Sequence, residues 1–142
     1  MPKKKEQKIY NTALYIRLSK ADERKGRERF SESIENQKII LHEHLDAHSD
    51  EFKFYKEYID DGVSGTNDIA RPQFMEMIKD IKVGVINCVI VKDLSRFARN
   101  YLQAGDYIQN VFQEYQTRFI ALFDNVDTQR DGAYDTETVF KM

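Results

Sequence analysis

Apolar positions along this chain switch between a two-residue and a roughly four-residue period, and the switching predicts its elements. Residues 9–18, IYNTALYIRL, are rich in β-branched and aromatic side chains and predict a first strand. From Ser31 to about His48, Ile34, Leu41 and Leu45, with Ile40 alongside, recur at helical spacing. Ser31 or Ser33 suits the N-cap of that helix, and Glu32 and Glu35 suit its positive end. Residues 52–59 alternate and predict a second strand. Arg71-Pro72 opens a short helix, with the proline in its first turn and Phe74, Ile78 and Ile81 on one face. Residues 83–91 are almost continuously apolar, as in a strand buried on both faces. Tyr101, Ile108, Val111, Phe112 and Tyr115 predict a helix over 101–115, and 118–123 predict another strand. Strands alternating with helices in this way predict an α/β domain of three-layer type, a mostly parallel central sheet flanked by helices.

Between these elements lie a highly charged polar segment, Ser19 to Phe30, and a run of turn residues, Asp60 to Asn67, both expected as loops. At 142 residues the chain has the length of one domain. Residues 1–8 are expected to form a basic, flexible N-terminus, 9–135 the folded domain, and 136–142 the start of a truncated C-terminal helix. A chain that is 41% hydrophobic and 32% charged is ordinary for a globular protein. No stretch has the apolar length of a membrane span. The lone Cys88 excludes an intramolecular disulfide, suits a reducing cytoplasm, and sits in an apolar run where core packing is its expected role.

Candidate chemistry gathers where strands of an α/β sheet end. Those ends carry Arg17-Leu18-Ser19, Asp60-Asp61, Lys92-Asp93 and Phe123-Asp124. Side chains of a strand alternate faces, so Tyr15, Arg17 and Ser19 point one way and Leu14, Ile16 and Leu18 the other. A guanidinium inside an apolar strand needs an anionic partner, a carboxylate or a phosphate. Arg96 and Arg99, three apart, share a face of any helix that follows Lys92, and Arg71 enters from a loop–helix junction. Arginine forks match phosphate oxygens and stay charged at any working pH. Pattern alone also allows a structural salt bridge for Arg17, a solvated helix face for Arg96 and Arg99, and a strand terminator in Ser19. It gives an anion site and no more.

Four blocks in register carry further. Tyr15-x-Arg17-x-Ser19 resembles the N-terminal catalytic motif of the serine recombinases, the resolvase and invertase family. Ser33-Ile34-Glu35-Asn36-Gln37 is similar to that family's glutamine segment. Asp61-Gly62-Val63-Ser64-Gly65 with Arg71-Pro72-x-Phe74 resembles its loop-and-arginine block, and Val91 to Arg99 its paired-arginine block. The wording, with Asn100-Tyr101-Leu102 following, is most similar to the large serine recombinases: integrases and transposases of mobile elements, including conjugative transposons. The resemblance implies a resolvase-like catalytic domain in which Ser19 attacks a DNA phosphodiester, forming a 5′-phosphoserine link and a free 3′-hydroxyl. Arg17, Arg71, Arg96 and Arg99 would then hold the phosphate, Gln37 position the nucleophile or the phosphate, and Asp61 orient an arginine or sit near the leaving group. Tyr15, Ser64 and Lys92 would contact DNA or its phosphates. The resemblance implies no metal or cofactor, double-stranded DNA as partner, self-association to dimer and tetramer, and a DNA-binding region beyond this chain. Ser95 stands where the family often has an aspartate. His42, His44 and His48 are expected at the surface, away from these motifs.

The net charge of −2 adds that this chain alone binds DNA weakly, since duplex affinity rests on neutralising phosphates. Two alternatives stay open: a non-catalytic phosphate- or nucleotide-binding module, and a metal-dependent nuclease built on Asp60, Asp61, Asp93 and Asp124. The first lacks a glycine-rich strand-to-helix turn, and the second lacks a tight carboxylate motif and leaves the arginines unexplained.

Overall fold

The computed structural model describes residues 8–18, 33–61, 71–97 and 105–129. Ser19, Ser64 and Arg99, together with the segments 19–32, 62–70, 98–104 and 130–142, lie outside them.

Five strands form one sheet in the order β2-β1-β3-β4-β5: β1 (Tyr10–Leu18), β2 (Phe52–Asp61), β3 (Cys88–Val91), β4 (Arg118–Ala121) and β5 (Val126–Asp127). Every pairing is parallel except β4 with β5. The strand alternation of β1 sorts the core into two halves. Ala13 and Tyr15 pack with α2 (Pro72–Val83), α3 (Leu94–Phe97) and the helical stretch ending in α4 (Ile108–Phe112). Leu14 and Ile16 pack with Leu41 and Leu45 of α1 (Ile34–Ala47) on the opposite face. The result is the expected three-layer domain, with Cys88 fully buried in the α1 half.

Helix α1 starts where a serine allows it: the Ser33 hydroxyl accepts from the Asn36 amide at 3.0 Å, satisfying an otherwise orphaned N–H. Helix α2 begins with Pro72 at its first position and stops at Gly84, whose φ of 88° suits a residue without a Cβ.

That stop corrects one expectation. The apolar run 83–91 is not all strand: Val83 closes α2, and only Cys88–Val91 pairs in the sheet. Val83 and Val85 are apolar yet exposed, so their hydrophobicity concealed the boundary. The second strand runs on through Asp60 and Asp61, which turn chemistry had assigned to a loop. The fourth ends at Ala121 rather than 123, because a turn over 122–125, with Asn125 at φ 54°, folds the chain back into β5. Of the expected helix 101–115, residues 105–107 are α-helical and Ile108–Phe112 is a π-helical turn, closed by Gln113 N–H donating to Ile108 O at 3.1 Å. Among the described residues no helix is long and apolar enough to cross a membrane.

Candidate active site at the carboxyl edge of the sheet

Three arginines from distant parts of the chain meet on one short turn. The 94–97 turn follows β3 directly, and its first free amide, Leu94 N–H, donates to the Asp124 carboxylate at 2.7 Å. Its carbonyls face β1. Arg17, at the last full position of that strand's buried stretch, donates from Nη2 to Ser95 O and from Nε to Arg96 O at 3.4 Å. Arg96 returns a bond from Nη1 to Arg17 O at 3.0 Å. Arg71, the residue just before α2, donates from Nη2 to Phe97 O at 2.6 Å. All three are buried: Arg17 is 8% exposed, Arg96 3% and Arg71 0%.

Burial of three guanidiniums requires neighbours that accept hydrogen bonds or offer π-density. The Arg71 fork lies 3.8 Å from the Phe74 ring centroid and 5.5 Å from that of Tyr15. Gln37, fully buried on α1, grips the Arg17 main chain from the other face: its Nε2 donates to Arg17 O at 3.1 Å and its Oε1 accepts from Arg17 N–H at 3.4 Å. These two bonds tie the Gln37 side chain to the end of β1, two residues before Ser19 in sequence.

Asp60 is the group that sequence reasoning passed over in favour of Asp61. Its Oδ2 accepts from the Tyr15 hydroxyl at 2.8 Å and from Phe74 N–H at 2.9 Å, and its Oδ1 from Gln73 N–H at 3.0 Å. It caps α2 from another element. The signal for it was present, because Arg71 at the N-cap offers no acceptor and Pro72 no donor, so the next amides need an outside carboxylate. Asp61, its neighbour, is exposed at the end of β2. Burial drives the Tyr15 phenol well above its ordinary pKa, with Asp60 adding to the rise and Arg71 opposing it. Tyr15 therefore keeps its proton and donates a hydrogen bond to Asp60.

Lys92 is 4% exposed, with Nζ 3.7 Å from Asp93 Oδ2 and 5.0 Å from the Phe123 ring centroid. The Ser95 hydroxyl donates to Asp93 Oδ1, and Arg96 Nε stands 3.8 Å from that same oxygen. The carboxylates that a nuclease would use are dispersed and engaged elsewhere: Asp60 on α2, Asp93 on Ser95 and Lys92, Asp124 on Leu94. The described residues contain no group of three or more His, Cys, Asp or Glu placed to share a metal ion. The histidines lie apart from this edge, His42 Nε2 2.7 Å from the Glu57 carboxylate and His44 stacked on His48.

The resolvase N-terminal domain family matches residues 12–142. Solved structures agree. The N-terminal catalytic domain of TP901-1 integrase superposes with a TM-score of 0.70 at 27% identity, over 84% of this chain and 82% of that one. A resolvase family site-specific recombinase from Streptococcus pneumoniae gives 0.69 at 31% identity, over 86% and 78%. An IS607-like serine recombinase, the ISC1926 TnpA catalytic domain, shares the fold with a TM-score of 0.61 at 18% identity, over 79% and 69%. No curated protein is detectably similar in sequence. The chain belongs to the resolvase family, and its fold is that of the serine recombinase catalytic domain, the domain of site-specific DNA recombinase enzymes.

Proposed function

We propose that this domain cuts and rejoins DNA through a phosphoserine intermediate at Ser19. The observation that carries the reading is the meeting of three arginines at the strand end that leads into Ser19: Arg17 and Arg71 donate to the 95–97 carbonyls, and Arg96 donates back to Arg17 O. In the reaction Ser19 Oγ forms a bond to phosphorus and loses its proton, while the bond from phosphorus to the 3′-oxygen breaks and that oxygen gains a proton. Charge that spreads over the phosphoryl oxygens is met by the positive forks of the three arginines and of Arg99. Gln37 holds the β1 end in register. Asp61 orients an arginine or sits near the leaving 3′-oxygen, Ser64 serves the DNA around the phosphate, and Tyr15 steadies Arg71. The phosphoserine bond conserves the energy of the phosphodiester, so religation requires neither metal nor nucleotide. Exchange of strands takes place in a dimer-to-tetramer assembly on double-stranded DNA, as integration, excision or inversion for a mobile element.

The test traps the intermediate. Intact protein is incubated in EDTA with a library of random-sequence duplexes, then denatured, and covalent protein–DNA adducts are recovered and sequenced. Adducts are expected from the wild type and none from Ser19→Ala. Cleavage that requires a divalent metal and survives Ser19→Ala would overturn the reading. Arg96→Ala and Arg99→Ala are expected to lower adduct formation at least a hundredfold, in line with removing a donor to a transition-state oxyanion, while duplex binding changes little. Equal losses of binding and cleavage would reduce the arginines to a docking patch.

A further inference from the structure

Phe123 is 64% exposed, although the turn that carries it is among the most firmly tied segments of the carboxyl edge. Leu122 N–H donates to Val91 O at 3.1 Å, and Phe123 N–H to Lys92 O at 2.8 Å. The next residue, Asp124, holds the first amide of the arginine turn. The backbone of Phe123 is therefore fixed relative to the turn that anchors Arg17 and Arg96. Scattered exposed apolar residues are normal, and Phe54, Tyr55 and Val83 need no special account. Phe123 differs by its place, since it alone of these stands on the edge where the arginines converge.

The ring also has a cation set against it. Lys92 Nζ lies 5.0 Å from its centroid, and Lys92 itself is nearly inaccessible. An ammonium on one side draws ring electron density toward itself and leaves the other face poorer in electrons. Such a face is suited to an electron-rich flat partner, and nucleobases are the flat, electron-rich groups that accompany a phosphodiester.

We infer that Phe123, backed by Lys92, is a stacking platform for a nucleobase flanking the scissile phosphate. This rests on the reading of the domain as a DNA-cleaving enzyme and adds to it a residue that contacts a base rather than a phosphate. Its chemical consequence is retention. Cutting a strand frees the nucleotide on one side of the phosphate from its tether, and a rigid apolar ring beside the arginine turn keeps that nucleotide near for religation.

The experiment uses a duplex recovered from wild-type adducts, and a second duplex in which the flanking nucleotide is abasic. Adduct formation is measured for the wild type, Phe123→Ala, Phe123→Leu and Phe123→Tyr. On the normal duplex, Phe123→Ala is expected to lose roughly tenfold, the size of one base–aromatic stack. Phe123→Tyr, which keeps a flat ring, should retain the wild-type level, and Phe123→Leu, which keeps apolar bulk without flatness, should not. On the abasic duplex wild type and Phe123→Ala should be equal. An undiminished Phe123→Ala adduct, a loss of the same size on the abasic duplex, or full activity in Phe123→Leu would overturn the inference while leaving the recombinase reading intact. Absence of any wild-type adduct would instead sink that reading, and the platform with it.

Discussion

Asp60 shows how much one side chain carries at this edge. Its two oxygens serve a phenol and two main-chain amides, all from elements other than its own. Asp60→Ala strands those three donors in a buried setting, and a loss of about 3 kcal/mol is expected from urea unfolding. Because the same change releases the start of α2, Arg71 should lose its fixed position as well. Catalytic loss in Asp60→Ala should therefore persist under conditions where the variant is fully folded. Cys88 is the opposite case, a group whose chemistry is silenced. Burial raises its thiol far above the ordinary value, and the side chain is inaccessible. Iodoacetamide is expected to leave it unlabelled in the native protein and to label it in denaturant.

Among the elements, the 94–97 turn has the greatest reach, because the aromatic core is built around its last residue. Phe97 packs against Phe74, Tyr107, Phe112 and Phe119 with ring centroids 4.5–5.8 Å away. Phe97→Ala should cost about 4 kcal/mol by leaving a cavity among those rings. It should also loosen the carbonyls that hold Arg17 and Arg71. Gly84→Ala, by contrast, meets no atom within 4 Å, so only its left-handed backbone matters, and about 1 kcal/mol is expected. At the far end of α1, His44 is pushed below the ordinary histidine pKa by burial, with His48 and Arg118 adding to the effect and Glu51 and Asp127 opposing it. The folded state thus resists a proton that the unfolded chain accepts. Its contribution to stability is complete above the unfolded value of about 6.5 and is lost as pH falls below it. A urea titration from pH 7.5 to 5.5 should show that slope, flattened in His44→Ala. These elements also mark what the sequence made legible. Strand β1 and helix α1 were readable because alternation in one and a cap with regular apolar spacing in the other reflect burial directly. The start of β3 was not, since Val83 and Val85 are apolar without being core. Strand β5, two residues long, is too short to show any period, and the hydrogen-bond shift of a π-turn leaves no trace in composition. The sequence marked the arginines as candidate anion ligands, but their bonds to main-chain carbonyls were not readable, because these depend on the fold placing residue 17 beside residues 95 and 96.

At the scale of the whole molecule, a chain of net charge −2 has Arg17, Arg71 and Arg96 buried and tied down on one edge. Affinity for random duplex at physiological salt is expected to be no tighter than about 10⁻⁶ M by fluorescence anisotropy, within the usual non-specific range. A markedly tighter value would mean that the surface outside the arginine edge binds phosphates. Sheet order has a consequence in time as well. Strand β1 lies between β2 and β3, so one flank can be paired once residue 61 has been made, whereas the other waits for residues 88–91. Arg17 waits longer, until the carbonyls of residues 95 and 96 exist to receive it. During synthesis, then, the chain carries Ser19 and Arg17 for some eighty residues before the clamp can close. Ribosome-bound chains that expose fewer than 97 residues should be inert toward DNA, a delay written into strand order that keeps a half-made cutter from cutting.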